Sequence, residues 1–244
     1  MKKIIYSFMI VLPFITVGCA APLTDSSGKK LPIQLYSYEQ DKNGSAPTVI
    51  IGHGSTGVKP GDQLVAQEIK SWGYNTVIVD HYTLRGIGGH TGKKAEGALP
   101  VDRANDFIEA AKWIQTQKWH KGKIAVVGFS QGGAGVLALA AMENTGLISS
   151  GVAFYPACLL QNTPYKPSMP VQLHMAGKDD LAYPWVCTGL RNPEYKVHYY
   201  DDATHSFDVD IPATVDKRYT HRFDPNLKKE SRKHLKEFLA IHLK

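Results

Sequence analysis

Lys123-Ile124-Ala125-Val126-Val127-Gly128-Phe129-Ser130-Gln131-Gly132-Gly133-Ala134-Gly135-Val136-Leu137-Ala138-Leu139-Ala140-Ala141 is the stretch whose reading decides the fold. It opens as a short apolar run rich in β-branched residues, the pattern of a buried strand. It closes as a small-residue, Leu/Ala-rich run, the pattern of a buried helix. Between them lies Gly-x-Ser-x-Gly, centred on Ser130. A strand that breaks into a helix around a serine is a nucleophile elbow. The glycines have a physical task, because side chains at Gly128 and Gly132 would collide where strand and helix come close. The alternative is a glycine-rich turn whose serine merely caps the helix.

Outward from this stretch, strand and helix patterns alternate. An edge strand is expected over 31–38, with Pro32 near its start. A buried strand covers Pro47–Ile51, then a helix about Gly61–Trp72, then a strand Asn75–Val79. A long glycine-rich loop over 83–100 fails the Walker spacing around Lys93 and reads as a rim loop. An amphipathic helix follows over Val101–Lys118, with Ala104, Phe107, Ile108, Ala111 and Ile114 on one face. After the elbow come strands at Ser149–Tyr155, Pro170–Met175 and Tyr195–Tyr200, a short helix near Pro184–Leu190, and a last helix over Phe223–Leu243. Continuous apolar strands alternating with helices predict an α/β fold: a mainly parallel sheet with helices on both faces, and no large lid domain. Ligands of such sheets sit outside the carboxyl ends of the strands.

A serine hydroxyl needs a base, and the base needs a partner that holds its tautomer. When the serine sits on an elbow the chain order is serine, acid, histidine. Downstream of Ser130 the acids at a strand end are Asp179 and Asp180, and the histidine after the final strand is His205. Asp179 is the first choice for the acid and Asp180 the alternative, Asp180 otherwise reading as the cap of the following turn or helix. His174 and His198 fall inside strands, and His53 has the wrong order for the base. An oxyanion needs two donors. The N–H of Gln131 supplies one, and Ser55 in His53-Gly54-Ser55-Thr56-Gly57 is the choice for the other. Tyr82, Arg85, Tyr155, Tyr183 and Trp185 are candidate pocket residues, Arg85 as a partner for a substrate carboxylate.

The chain has 244 residues, 43% hydrophobic and 20% charged, which suits one globular domain. The net charge is +6, but the cations gather at Lys228, Lys229, Arg232, Lys233 and Lys236, read as the solvated face of the last helix. A basic stripe with interleaved aromatics is lacking, so nucleic acid is not expected as a partner. Met1-Lys2-Lys3, an apolar run from Ile4 to Val17, and Gly18-Cys19-Ala20-Ala21 read as an export signal over 1–21. Thr16-Val17-Gly18-Cys19 resembles a bacterial lipobox, which implies lipidation at Cys19, a mature chain starting there, and a periplasm-facing outer-membrane lipoprotein. Ordinary cleavage after Ala20 or Ala21, giving a soluble exported protein, is the alternative. Residues 22–31 are expected to form a polar tether and 32–244 the single domain. Cys158 and Cys187 remain as a pair for a disulfide in an oxidising compartment. No metal or organic cofactor is implied, and the oligomeric state is left open.

With these residues in place the chain resembles the dienelactone hydrolase family of α/β-hydrolases. The resemblance runs from about Pro47 to the C-terminus. It rests on His53-Gly54-Ser55-Thr56-Gly57, Arg85-Gly86, Gly128-Phe129-Ser130-Gln131-Gly132-Gly133, Phe154-Tyr155-Pro156, Gly177-Lys178-Asp179-Asp180 with Pro184, and His205-Ser206-Phe207. It implies the α/β-hydrolase fold, acid and base at Asp179 and His205, and a small-molecule ester as substrate. Founding members carry cysteine where this chain has Ser130, and a glutamate in the loop that here reads His53-Gly54. Turnover of dienelactones is therefore not implied. A non-catalytic envelope lipoprotein, or an acyltransferase or peptidase on the same triad, are the alternatives to an esterase.

Overall fold

The computed structural model describes residues 18–19, 23–25, 27–40, 46–87, 98–143, 146–158, 166–190, 194–210, 214–215 and 219–244. The apolar run expected to form an export signal and most of the glycine-rich rim loop lie outside these residues.

Strand β1 is Gly18–Cys19, β2 is Gln34–Tyr38, β3 is Ala46–Gly52 and β4 is Asn75–Asp80. The elbow strand β5 is His120–Phe129, followed by β6 (Ser150–Phe154), β7 (Val171–Ala176) and β8 (Tyr195–Tyr200). They form one eight-stranded sheet in the order β1-β2-β4-β3-β5-β6-β7-β8. From β4 to β8 all pairs are parallel, while β2 runs antiparallel to β4 and β1 antiparallel to β2. Helices α1 (Pro60–Ser71), α2 (Pro100–Gln115), α3 (Gln131–Ala141) and α4 (Pro225–His242) cover the sheet.

Side chains alternate across a strand, and here both faces are buried. Ile50, Val77, Val79, Ile124 and Val126 face the layer of α2 and α3, with Phe107, Ala111 and Leu137. Val49, Ile51, Ile78, Ala125 and Val127 face the layer of α1 and α4, with Ile69, Leu235, Phe238 and Leu239. Helix starts follow simple chemistry. Pro100 and Pro225 occupy first turns, where no N–H is missed. Asp224 caps α4 by accepting from the N–H groups of Asn226 and Leu227 at 2.9 and 3.0 Å.

Four expectations change. Most of the expected tether is folded: the Leu31 N–H donates to the Leu23 carbonyl at 2.8 Å, and Leu23 joins the core. The polar turn hides an apolar residue at each end, which is enough to dock it. The short helix at Pro184–Leu190 is a 3₁₀ helix. A two-stranded ribbon, β9 (Thr214–Val215) with β10 (Thr220–His221), stands in what reads as plain loop before α4. Arg232 is buried rather than solvated, donating to Asp208 at 2.7 Å and Glu68 at 3.2 Å.

Candidate active site

The sheet order brings the ends of β3, β5, β7 and β8 to one rim. β5 ends at Phe129 and α3 begins at Gln131, so a single residue makes the turn. Ser130 makes it at φ 53° and ψ −113°, outside the regions L-residues favour. The turn closes because nothing protrudes: a Cβ at Gly128 would strike the Gly132 carbonyl, and one at Gly132 the Gly52 carbonyl. Tyr155, Tyr183 and Ser206 are the other non-glycine residues with positive φ among the described residues. Each lies in a loop beside the site or within one residue of a candidate, the pattern of backbone strain held at functional positions.

His205, in the turn after β8, meets Ser130 across 75 residues, Nε2 to Oγ 3.0 Å. Its Nδ1 lies 2.7 Å from Asp179 Oδ2. The carboxylate accepts, so Nδ1 carries the proton and Nε2 is left as an acceptor for the serine O–H. The other oxygen, Asp179 Oδ1, accepts from the N–H groups of Leu181 and Ala182 at 2.9 and 2.8 Å, which fixes the carboxylate plane. Both Asp179 and His205 are buried, at 4% and 3% exposure, so their mutual attraction is weakly screened. An exposed Asp180 turns away and accepts from the Thr220 N–H and hydroxyl, at 2.9 and 2.8 Å. That clasp holds the ribbon so that the Tyr219 ring stands edge-on to His205 at 5.7 Å.

The loop after β3 lies against Ser130, where a Cβ on Gly54 would be 3.6 Å from that of Ser130. His53 is fully buried, and its Nε2 accepts from the His81 N–H at 3.1 Å. Its Nδ1 therefore donates to the Gly54 carbonyl at 2.6 Å. Burial, then the nearby His81 and Arg103, push its pKa well below the usual histidine range and keep it neutral. In a trans peptide the N–H opposes the carbonyl, so the Ser55 N–H points away from the His53 ring.

The pocket candidates divide. Tyr82 is buried and donates its hydroxyl to Gln131 Oε1 at 2.8 Å. Tyr155 is buried beside the His205 ring at 4.8 Å and donates to Asp208 Oδ1 at 2.8 Å. Burial, then Asp208, raise the Tyr155 pKa well above the usual phenol value. Arg85 grips both oxygens of Asp106 at 2.8 Å and also the His81 carbonyl, so it anchors the rim loop and is not free for a substrate carboxylate. These three are supports because their polar tips are satisfied inside the protein. Tyr183 and Trp185 are exposed, with rings 4.6 Å apart, just beyond Asp179. Cys158 and Cys187 form a disulfide with Cα atoms 5.3 Å apart, tying the loop after β6 to the 3₁₀ segment that carries Trp185.

Sequence reasoning misses Tyr219, Asp208 and Arg103. Tyr219 reaches the site through the ribbon, and Asp208, three residues past His205, is tied to Tyr155 and to Arg232 of α4, contacts without a local signal. Arg103 looks like one more charge on an amphipathic helix. Its one visible mark is its position among Ala104, Phe107 and Ala111, on the apolar side.

The family model for the dienelactone hydrolase family matches residues 33–242. A carboxymethylenebutenolidase of Pseudomonas putida is 28% identical over 184 residues, covering 66% of this chain and 75% of that protein. Among solved structures, the dienelactone hydrolase-like promiscuous phosphotriesterase P91 from metagenomic libraries superposes with a TM-score of 0.70 at 15% identity, over 93% of this chain and 99% of that one. The dienelactone hydrolase of Anabaena variabilis gives 0.64 at 18% identity, over 93% and 99%. At those identities the two structures speak for the α/β-hydrolase fold. The match over 33–242 does more: the chain belongs to the dienelactone hydrolase family, hydrolases of ester-type substrates.

Proposed function

We propose that the protein is a serine hydrolase of carboxylic esters, with Ser130 as nucleophile, His205 as base and Asp179 as its partner. The observation that carries this reading is the chain of two short hydrogen bonds, Ser130 to His205 at 3.0 Å and His205 to Asp179 at 2.7 Å. Ser130 Oγ attacks the ester carbonyl while His205 Nε2 takes its proton, and Asp179 stabilises the imidazolium. The carbonyl oxygen becomes an oxyanion, for which the Gln131 N–H at the start of α3 and the Ser55 N–H are the donors. His205 then gives its proton to the leaving alcohol. Water, activated by the same histidine, attacks the acyl-enzyme, and Ser130 leaves with the proton. The exposed Tyr183 and Trp185 offer an apolar surface for the acyl or alcohol group. A fluorophosphonate probe tests the reading: the adduct is expected on Ser130 by peptide mass spectrometry and absent in Ser130→Ala. A folded protein that takes no label overturns it and favours a binding protein on this fold. Rates on matched ester, thioester and amide panels separate an esterase from an acyltransferase or peptidase.

We also propose that the chain is an exported lipoprotein anchored at Cys19. The lipobox-like Thr16-Val17-Gly18-Cys19 and the Cys158–Cys187 disulfide, at home in an oxidising compartment, support this. Metabolic labelling with palmitate, lost in Cys19→Ala, is the expected result. An unlabelled mature chain starting after Ala20 or Ala21 overturns it.

A further inference from the structure

Arg103 sits in the first turn of α2 with no exposure to solvent. It is there because α2 and α3 approach closely: a Cβ on Gly135 would lie 2.9 Å from the Arg103 Cβ. Among the described residues no carboxylate pairs with its guanidinium, and Asp106 on the same helix is taken by Arg85 and His81. Its hydrogen-bond partners are neutral instead. Nη1 donates to the His53 carbonyl at 2.9 Å, Nη2 to Gln131 Oε1 at 3.2 Å, and Nε to the Ala98 carbonyl at 3.3 Å. The cation also lies 4.9 Å from the centre of the Tyr82 ring, whose hydroxyl holds the same Gln131 oxygen.

These partners belong to two separate pieces of chain. His53 opens the turn after β3, and Gln131 opens α3. The esterase reading draws one oxyanion donor from each. We propose that Arg103 is a positioning residue of the oxyanion site, whose guanidinium joins the His53–Ser55 turn to the Gln131 side chain so that both N–H groups converge on the attacked carbonyl. The proposal rests on the ester-hydrolase reading above.

The chemistry of the group suits the task. A guanidinium donates along several fixed directions at once, so it can hold two acceptors at a set separation, which an ammonium on a flexible stem does poorly. A cation on the His53 carbonyl also polarises that peptide, and the His53 ring does the same to the next one. Burying a cation on neutral partners costs stability, and an apolar side chain of similar length would avoid that cost. A residue kept for packing alone would have no reason to be charged.

The test uses the full protein and compares Arg103→Met, Arg103→Lys and Gln131→Met, the last keeping its backbone N–H. Expected for Arg103→Met is a kcat on 4-nitrophenyl acetate lower by about 10- to 100-fold, a smaller loss than removal of an oxyanion donor itself. KM stays within about threefold, and a trifluoromethyl ketone that forms a tetrahedral adduct weakens by the same factor as kcat/KM. Arg103→Lys recovers part of the loss, and Gln131→Met reproduces part of it. If Arg103→Met does not fold, Gln131→Met reads the same tie. A folded Arg103→Met or Gln131→Met with kcat and ketone affinity within threefold of wild type overturns the role of Arg103. That outcome is distinct from failure of the ester-hydrolase reading, in which the wild type itself takes no fluorophosphonate label and removes the basis of both.

Discussion

At the scale of the residue, the two neighbours Asp179 and Asp180 have opposite employment. Asp179 Oδ1 is held by two backbone N–H groups, so in Asp179→Asn the amide oxygen is expected to take that place and the NH₂ to face His205. The histidine must then accept at Nδ1 and carry its proton on Nε2, where it cannot serve as base. We expect kcat to fall by about 10³- to 10⁴-fold with the melting temperature little changed. Asp180→Asn keeps an acceptor for Thr220 and is expected to lower kcat by less than about fivefold. Ester kinetics on the two variants check the assignment, and a larger loss in Asp180→Asn reverses it. The order serine, acid, histidine is visible in the sequence because each follows a strand pattern. The choice between Asp179 and Asp180 rests there on resemblance, since side-chain direction at a loop is a tertiary matter. Arg85 is invisible for the same reason: its partner Asp106 lies in another element, and an arginine in a glycine-rich loop looks free until that partner is seen.

At the scale of the element, the elbow is a close contact between two backbones. Gly132→Ala sets a methyl against the Gly52 carbonyl, which belongs to β3 and cannot yield without moving the central sheet. A loss of about 3 kcal/mol in urea unfolding is expected, with activity reduced in whatever folds. A loss below about 1 kcal/mol would mean that the strand and helix are looser than this packing requires. The Cys158–Cys187 bond closes a loop with a sequence separation of 29 residues. Replacing both cysteines by serine is expected to cost about 3 kcal/mol by chain entropy. Urea midpoints of the double variant against wild type measure it. At this scale the sequence is most readable. Buried parallel strands announce themselves as unbroken apolar runs, and their limits agree with the structure within a few residues. The ribbon β9–β10 is the exception, because two-residue strands leave no period to detect.

At the scale of the molecule, a histidine cluster, buried at His174 and half-buried at His198 and His234, ties the sheet edge to α4. His174 in β7, His198 in β8 and His234 in α4 stack, with 5.3 Å between the first two rings and 3.8 Å between the last two. Gln172, Tyr200, Lys196, Arg232 and Glu237 surround them. Burial, then His198, keeps the His174 pKa well below the histidine range, and burial, then His234, brings His198 to about 4. In the unfolded chain both titrate near 6.5. Their folded pKa values are depressed, so the stability they contribute is complete above pH 6.5 and is lost as pH falls below it, for His198 between 6.5 and about 4. Urea unfolding at several pH values is expected to show this decline, and His198→Gln to flatten it by about 2 kcal/mol over that window, allowing for the partly exposed ring. An unchanged slope in the variant removes His198 from the account.

The sheet order has a kinetic consequence. The proposed nucleophile, acid and base, Ser130, Asp179 and His205, follow the ends of β5, β7 and β8, and the loop that faces them follows β3. Non-local pairing of this kind is slow to form, because each crossover must close before its contacts repay the lost entropy. Recovery of turnover during refolding should therefore lag behind recovery of helix signal. The chain would emerge from synthesis with its serine already made and its histidine 75 residues behind, inert until the final strand docks.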